Sequence, residues 1–474
     1  MRTHTACGGF GPGGQGLCPG RERPVYTARV FYSIVRAVVA LALRLFYRVK
    51  VNAPPAEPEG PVMFVGNHPN GLIDPALVFI LTRRHVTFLA KEPLFRLPVI
   101  GWLLKGLGAL PVYRKQDDPS QMGKNEGTLD AARGALVAGR AITLFPEGKS
   151  HSEPSLAELK TGAARIALGA AKQGAPVRIV PVGLTYADKH LFHSEVLIEM
   201  GSPIEVTDFL PADAAAESES VRRLTERIAE GLRSVTLNLD KWEDLPLIQL
   251  AEQLFAFRKK EARDTERLRN WARGLQLFRS EQPERFERVR GEMVSFLRRL
   301  ELVRADPTDL ALEYRTGPVA RFVVKNLLLL AFGLPLFALG LGLFYVPYLL
   351  PRWASRKAEL DIQATVKFLV ALVTSLVWWG ALTVGAWLWR GAPLGLPVLL
   401  GVPPLALFTL YFSDRWQVLL HDVAVFFTLG SRGRLKARLL TEGERLAAEV
   451  EQLAGEYQPR LDQGGAHLAV VAGR

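Results

Sequence analysis

The sequence predicts an α/β fold, a mixed sheet flanked by helices, followed by a charged helical region and C-terminal transmembrane helices. Three observations carry this reading. Between residues 61 and 206, short apolar runs alternate with helical patterns. Residues 212–315 are charged and place apolar residues at helical spacing, and from residue 319 onward the chain is dominated by long apolar stretches. A chain of 474 residues has room for about three domains, and a hydrophobic share of 49% suits one that is partly in lipid.

Residues 1–25 are rich in glycine and proline without periodicity, which predicts a disordered tail. A signal peptide is disfavoured because the apolar stretch comes late and is broken by arginines. Residues 26–50 read as a helix, with Arg29, Arg36, Arg44 and Arg48 on about a third of its circumference at about 100° per residue. Carrying four charges through lipid is costly, whereas arginines at the headgroups are favourable, so this is predicted to be an interfacial membrane helix. Residues 51–211 form the α/β domain. Its strands are expected at 62–65, 86–90, 109–113, 141–145, 177–182 and 196–199, and its helices at 75–82, 94–106, 125–138 and 159–173, which implies a sheet covered on both faces.

In residues 212–315, Leu247, Leu250, Ala251, Leu254 and Phe257 make one apolar stripe, and Phe286, Val289, Met293, Phe296 and Leu300 another. Both read as helical packing surfaces. The membrane domain spans 319–412. Its first part, 319–350, is too long for one span and too short for two, at about 20 residues each, and it carries Gly333, Pro335, Gly340, Gly342 and Pro347. It is expected to enter and return on one side, while 368–389 and 393–412 each cross. Arg352, Arg356, Lys357 and Lys367 flank the first stretch and Arg415, Arg432, Arg434, Lys436 and Arg438 follow the last, which places these loops in the cytoplasm. Residues 413–474 are then a cytoplasmic tail with a helix at 441–457, opened by a capping box of Thr441 and Glu444. The whole is expected to be an integral protein of the inner or plasma membrane, with the α/β domain cytoplasmic.

Charge and cysteines narrow the partners. A net charge of +12 suits nucleic acid, an anionic membrane surface or a phosphorylated substrate. The apolar stretches favour membrane lipids and a phosphorylated substrate, and no basic groove interleaved with aromatics argues for nucleic acid. The two cysteines, Cys7 and Cys18, make no disulfide framework and no metal spacing, and they fit a reducing compartment.

Chemistry shows most plainly in Asn67-His68-Pro69-Asn70-Gly71-Leu72-Ile73-Asp74-Pro75, which follows an apolar strand. A neutral imidazole takes a proton from a hydroxyl near neutral pH, and a nearby carboxylate fixes its tautomer, so His68 and Asp74 read as a base and its orienter. Taken alone, the pair favours a plainer reading, in which His68 caps a turn or packs on the following helix and Asp74 is its N-cap, with Pro75 in the first turn. Arg114 ends a strand with a guanidinium that suits phosphate, and in isolation it reads as a surface arginine. Phe145-Pro146-Glu147-Gly148-Lys149-Ser150 runs a strand into a turn holding a carboxylate, a flexible glycine and a cation; Glu147 is expected to accept from substrate hydroxyls and Gly148 to admit a ligand to the backbone. An ordinary Pro-Gly turn is the plain alternative. Val180-Pro181-Val182 is a strand interrupted by proline.

Together, in this order, these motifs resemble the glycerolipid acyltransferase family over residues 60–205. Five residues separate His68 from Asp74 where the family's usual pattern has four, so at least one of the pair lies in a turn. A similar enlarged interval occurs in the fungal-type glycerol-3-phosphate/dihydroxyacetone-phosphate acyltransferases. That branch is also resembled by Gly148-Lys149-Ser150-His151-Ser152, Leu159-Lys160-Thr161-Gly162-Ala163 and Gly231-Leu232-Arg233-Ser234-Val235-Thr236, which extends the resemblance to about residue 257. The resemblance implies acyl transfer from an acyl thioester, carried by coenzyme A or acyl carrier protein, to a glycerol-phosphate hydroxyl, with no cofactor beyond that co-substrate. His68 and Asp74 would be catalytic; Arg114 with Lys149 or Lys160 would hold the phosphate; Glu147 and Gly148 would shape the acceptor pocket. Asn67 is expected to place the turn only. A serine nucleophile is disfavoured because no G-x-S-x-G elbow follows a strand. Lysophosphatidate acyl transfer and a catalytically dead membrane scaffold are the alternatives.

Overall fold

Alternating side chains on a few short strands build the centre of the molecule. The computed structural model describes residues 25–471 except 55–56, 115–117, 262–264, 312–315, 357–359 and 431–432. The expected N-terminal tail, with both cysteines, therefore lies outside the described residues. The α/β domain contains α1 (Val25–Phe46), β1 (Tyr47–Asn52), β2 (Val62–Gly66), α2 (Ile73–Leu81), β3 (Val86–Lys91), α3 (Pro98–Gly106), β4 (Leu110–Val112), α4 (Asn125–Val137), β5 (Ala141–Leu144), α5 (Gly162–Ala171), β6 (Arg178–Tyr186), β7 (Ser194–Met200), β8 (Ile204–Glu205) and α6 (Glu217–Val235).

The strand order is β1-β7-β6-β2-β5-β3-β4, with β8 also paired to β6. β7 and β8 run antiparallel to β6 and the other pairings are parallel, so the sheet is mixed. Met63, Val65, Ile142, Leu144 and Ile179 pack under α4, α5 and α6. Their neighbours Val62, Phe64, Ala141, Val180 and Val182 pack under α1 and α2. Period-two alternation thus covers both faces, and each such side chain larger than alanine stabilises the fold by about 1.5–3 kcal/mol.

Two boundaries differ from those expected. The helix predicted over 26–50 stops at Phe46, and Tyr47 opens edge strand β1. Tyr47 is fully buried and its hydroxyl donates to the Lys189 carbonyl at 2.7 Å, which fixes the register beside β7. The domain boundary expected at residue 211 also moves. Val221, Leu224, Ile228 and Leu232 on α6 complete the sheet's core, and a Cβ on Gly183 would overlap the Val235 carbonyl.

Beyond this domain come α7 (Leu245–Lys259), α8 (Thr265–Glu281), α9 (Pro283–Val303), α10 (Thr316–Leu343), α11 (Tyr345–Ala354), α12 (Leu360–Arg390), α13 (Ala392–Gly430) and α14 (Gly433–Val471). Both expected stripes are buried, except that Phe257 is only partly so. They share one core with Leu446, Ala447 and Val450 of α14, so the tail expected to be separate closes the same bundle. Nor does Thr441 open a helix. It lies inside α14, where its hydroxyl donates to the Ala437 carbonyl at 3.0 Å.

Three helical stretches, Val324–Leu343, Gln363–Arg390 and Ala392–Thr428, are long and apolar enough to cross a membrane. α10 ends at Leu343, whose carbonyl accepts the Trp378 indole at 2.8 Å, mid-way along α12. α11 then runs back until the Ser355 carbonyl meets Gln363 near the start of α12. Two further ties join these helices to the α/β domain. Lys367 Nζ donates to the His190 carbonyl at 2.8 Å, and Asp414 on α13 lies 2.6 Å from His193.

Candidate active site

Three adjacent strands deliver the site from their carboxyl ends, where ligands sit in open α/β sheets. β2 leads into Asn67 and His68, β5 into Phe145-Pro146-Glu147-Gly148, and β6 ends at Tyr186. Asn67 extends the β2–β6 pairing with its side chain, donating to the Leu184 carbonyl at 3.0 Å and accepting the Leu184 amide at 2.7 Å. Gly66 leaves room for Phe145, since a Cβ there would come within 2.8 Å of the ring. That ring stacks on the His68 imidazole at 4.4 Å with an interplanar angle of 19°.

The five-residue interval closes through a turn. Gly71 adopts φ +37° and the Ile73 amide returns to the Asn70 carbonyl at 3.0 Å, so α2 starts at Ile73 and Asp74 lies in its first turn. His68 stays outside the helix. Its Nδ1 sits 2.8 Å from Asp74 Oδ2. The same oxygen accepts the Asn70 amide at 2.6 Å, and Oδ1 accepts the Tyr186 hydroxyl at 2.6 Å. With the Asp74 side chain fully buried and acting as acceptor, the proton resides on Nδ1 and Nε2 presents its lone pair. Burial, reinforced by Asp74, pushes the Tyr186 pKa well above the ordinary tyrosine range, which keeps it a donor.

Glu147 has a different task from the one expected. Its carboxylate is 1% exposed, and its oxygens are engaged by the His68 amide at 2.7 Å, the Ala157 amide at 3.0 Å and the His151 ring. It holds the backbone of His68 to the loop at Ala157 and to the His151 ring. The hydrogen bond to Glu147 raises the His151 pKa. Gly148, at φ +73°, makes the turn and lies against the Lys160 side chain, whose amide donates to the Pro146 carbonyl at 2.7 Å. Lys149 and Lys160 are exposed beside this turn. Arg114 follows β4, three positions from β2 in the sheet, or about 14 Å at usual strand spacing. The structure therefore groups His68, Asp74, Glu147, Gly148, Lys149 and Lys160 and leaves Arg114 at the sheet's edge. Among the described residues, no group of three or more His, Cys, Asp or Glu is placed to hold a metal.

Sequence reasoning missed Tyr186, His151, Lys189 and Thr365. Lys189 Nζ donates to the Pro69 carbonyl at 2.7 Å and to Ser152 at 2.6 Å, tying the two motif loops together. The Thr365 hydroxyl on α12 accepts the Leu72 amide at 3.1 Å. Tyr186 carried a signal, because apolar alternation continues past the expected strand end at 182; Thr365 carried none.

Residues 48–185, from β1 into β6, match the family model described as Acyltransferase. They form an acyltransferase domain. The chain is 25% identical over 325 residues to glycerol-3-phosphate O-acyltransferase 1 of Saccharomyces cerevisiae, covering 49% of this chain and 43% of the relative. It is 39% identical over 135 residues to glycerol-3-phosphate O-acyltransferase 2 of the same yeast, covering 28% and 18%. It is also 26% identical over 191 residues to 1-acyl-sn-glycerol-3-phosphate acyltransferase LPAT1, chloroplastic, of Arabidopsis thaliana, covering 38% and 50%. The matched stretch thus spans half or less of each relative's length. The acyltransferase domain carries His68, Asp74, Arg114 and Glu147 within the matched residues and is joined to helices apolar enough to cross a membrane.

Proposed function

We propose that this protein moves a fatty acyl group from an acyl thioester to a hydroxyl of glycerol 3-phosphate or dihydroxyacetone phosphate at a membrane. The observation that carries this reading is His68 Nδ1 held 2.8 Å from a buried Asp74, with Nε2 left to meet a hydroxyl. Nε2 takes the acceptor proton as the hydroxyl oxygen attacks the thioester carbonyl. Asp74 stabilises the imidazolium, which returns the proton to the departing thiolate as the C–S bond breaks. No acyl-enzyme is needed. Lys149 and Lys160, exposed beside the same turn, are placed to draw the acceptor's phosphate, with Arg114 further along the sheet edge. The acyl carrier is coenzyme A or acyl carrier protein.

Two features support placing the domain against a membrane. α1 exposes Val30, Ile34, Val38 and Leu41 along one stripe while Leu43 and Phe46 bury the other, as suits a helix lying in the interface. Leu310, just before α10, and Leu446 on α14 share one core, which supports a membrane segment that starts and finishes on one side. An in-and-back path for α10–α11 followed by an α12–α13 hairpin satisfies that condition. Basic residues at those ends favour the cytoplasmic side.

A parallel assay tests the proposal. Purified membranes carrying the protein or its His68→Ala variant receive a labelled acyl thioester with glycerol 3-phosphate, dihydroxyacetone phosphate or lysophosphatidate. Labelled product from an unacylated acceptor, lost in the variant, is expected. Product from lysophosphatidate alone would replace this reading with the acylation of 1-acyl-sn-glycerol 3-phosphate for which the chloroplast relative is named.

A further inference from the structure

On the side of the membrane helices nearer the α/β domain, where Asp414 approaches His193, a cavity of about 960 Å³ opens between α10 and α13. Arg321, Lys325, Leu328, Leu329, Tyr411 and Arg415 line it. The two helices run antiparallel, since Gly340 lies against Thr409 and Gly333 against Phe412. On α10, Arg321 and Lys325 come a turn before Leu328 and Leu329; on α13, Arg415 lies a turn beyond Tyr411. Read along either helix from the α/β domain, cations come first and apolar groups follow.

No carboxylate lines this cavity, and among the described residues none of the three cations has a carboxylate within salt-bridge distance; Asp422, further along α13, acts on Arg415 only through the longer-range field. Charges on helices apolar enough to span lipid are unfavourable without a counter-ion. Two guanidiniums and an ammonium converging from two helices suit a phosphate, which guanidinium binds through paired hydrogen bonds. A free anion would leave the inner half unused. There Leu328 is 55% exposed and Tyr411 60% exposed, on helices that also leave Leu327, Phe332 and Leu407 exposed. A ligand with an anionic head and apolar chains satisfies both halves, and basic pockets between membrane helices are of this kind.

We propose that this cavity binds a phospholipid with an anionic headgroup, its phosphate among Arg321, Lys325 and Arg415 and its acyl chains along Leu328, Leu329 and Tyr411. The site is separate from His68 and does not depend on the reaction assigned to it.

Native mass spectrometry of the full chain in detergent tests this, with dioleoylphosphatidylglycerol, dioleoylphosphatidylcholine and inorganic phosphate as probes. The protein is expected to retain phosphatidylglycerol over phosphatidylcholine and to keep it in the presence of inorganic phosphate. The combined Arg321→Gln, Lys325→Gln and Arg415→Gln variant should bind phosphatidylglycerol about a hundredfold more weakly. Leu328→Trp, which keeps every charge and fills the apolar half, should also weaken it, with circular dichroism confirming helical content in both variants. Equal retention of the two lipids, displacement by inorganic phosphate, or undiminished phosphatidylglycerol binding in either folded variant overturns the proposal.

Discussion

Asp74 shows how much of the proposed chemistry rests on hydrogen bonds to a single side chain. It receives His68, the Asn70 amide and Tyr186, and has no exposure to water. His68→Ala should lower kcat by about two to four decades while the protein still folds and inserts, as measured by acyl-transfer kinetics and circular dichroism. Tyr186→Phe leaves the pair in place but removes one donor, and a fall of about tenfold in kcat with little change in KM is expected. His151 gives a pH signature. Its hydrogen bond to Glu147 raises its pKa above the usual 6.5, so the folded state favours the protonated ring. That contribution is fully present below 6.5 and is lost as pH rises through the raised value. Thermal unfolding at a series of pH values should show His151→Gln least stable relative to the parent just below 6.5, with the gap closing at alkaline pH.

At the scale of elements, α12 helps to hold the turn between His68 and Asp74. The Leu72 amide, inside that turn, finds its acceptor on Thr365, and Phe368 packs edge-on against Phe46 at 5.7 Å. Replacing the buried hydroxyl leaves an amide without a partner, at a cost of about 1–3 kcal/mol. Thr365→Val should therefore lower both kcat and the unfolding temperature, and Thr365→Ser should restore them. A kcat unchanged in Thr365→Val would mean that the turn holds without the membrane helix. Gly183 works in the same register: without a side chain it lets α6 close on β6 at Val235.

For the molecule as a whole, one helical core closes the path of the chain. Phe296 on α9 is fully buried and its ring lies against Gly443 of α14, so it joins segments that precede and follow the membrane helices. Phe296→Ala should cost about 3–5 kcal/mol, read as a lower unfolding temperature in detergent and faster proteolysis between residues 431 and 461. A variant as stable as the parent would show that the two halves of the bundle stand independently. Arg285 with Glu456 at 2.9 Å, and Arg445 with Glu292 at 2.7 Å, pair across the same seam, but they are partly exposed and contribute little beside the apolar core.

Local pattern was enough for six of the eight strands, the buried stripes and the apolar helices, because each depends on side chains recurring at a period of the chain itself. His68 and Asp74 were legible for a related reason: they are near neighbours in sequence, and Asn70-Gly71 announces the turn that brings them together. The interval of five residues left open whether they meet, and Gly71 at a positive φ with α2 beginning at Ile73 closes it. Residues that meet only through sheet order or helix packing had no such signature. Tyr186 reaches Asp74 because β6 lies beside β2, Glu147 turns inward because His68 and Ala157 supply its donors, and Thr365 arrives from residues far along the chain. The sequence by itself determined most of the elements and the nearness of His68 to Asp74. Tertiary structure alone decided which groups support that pair, and that α14 returns to the bundle formed before the membrane helices, because contacts between distant segments leave no period in the chain.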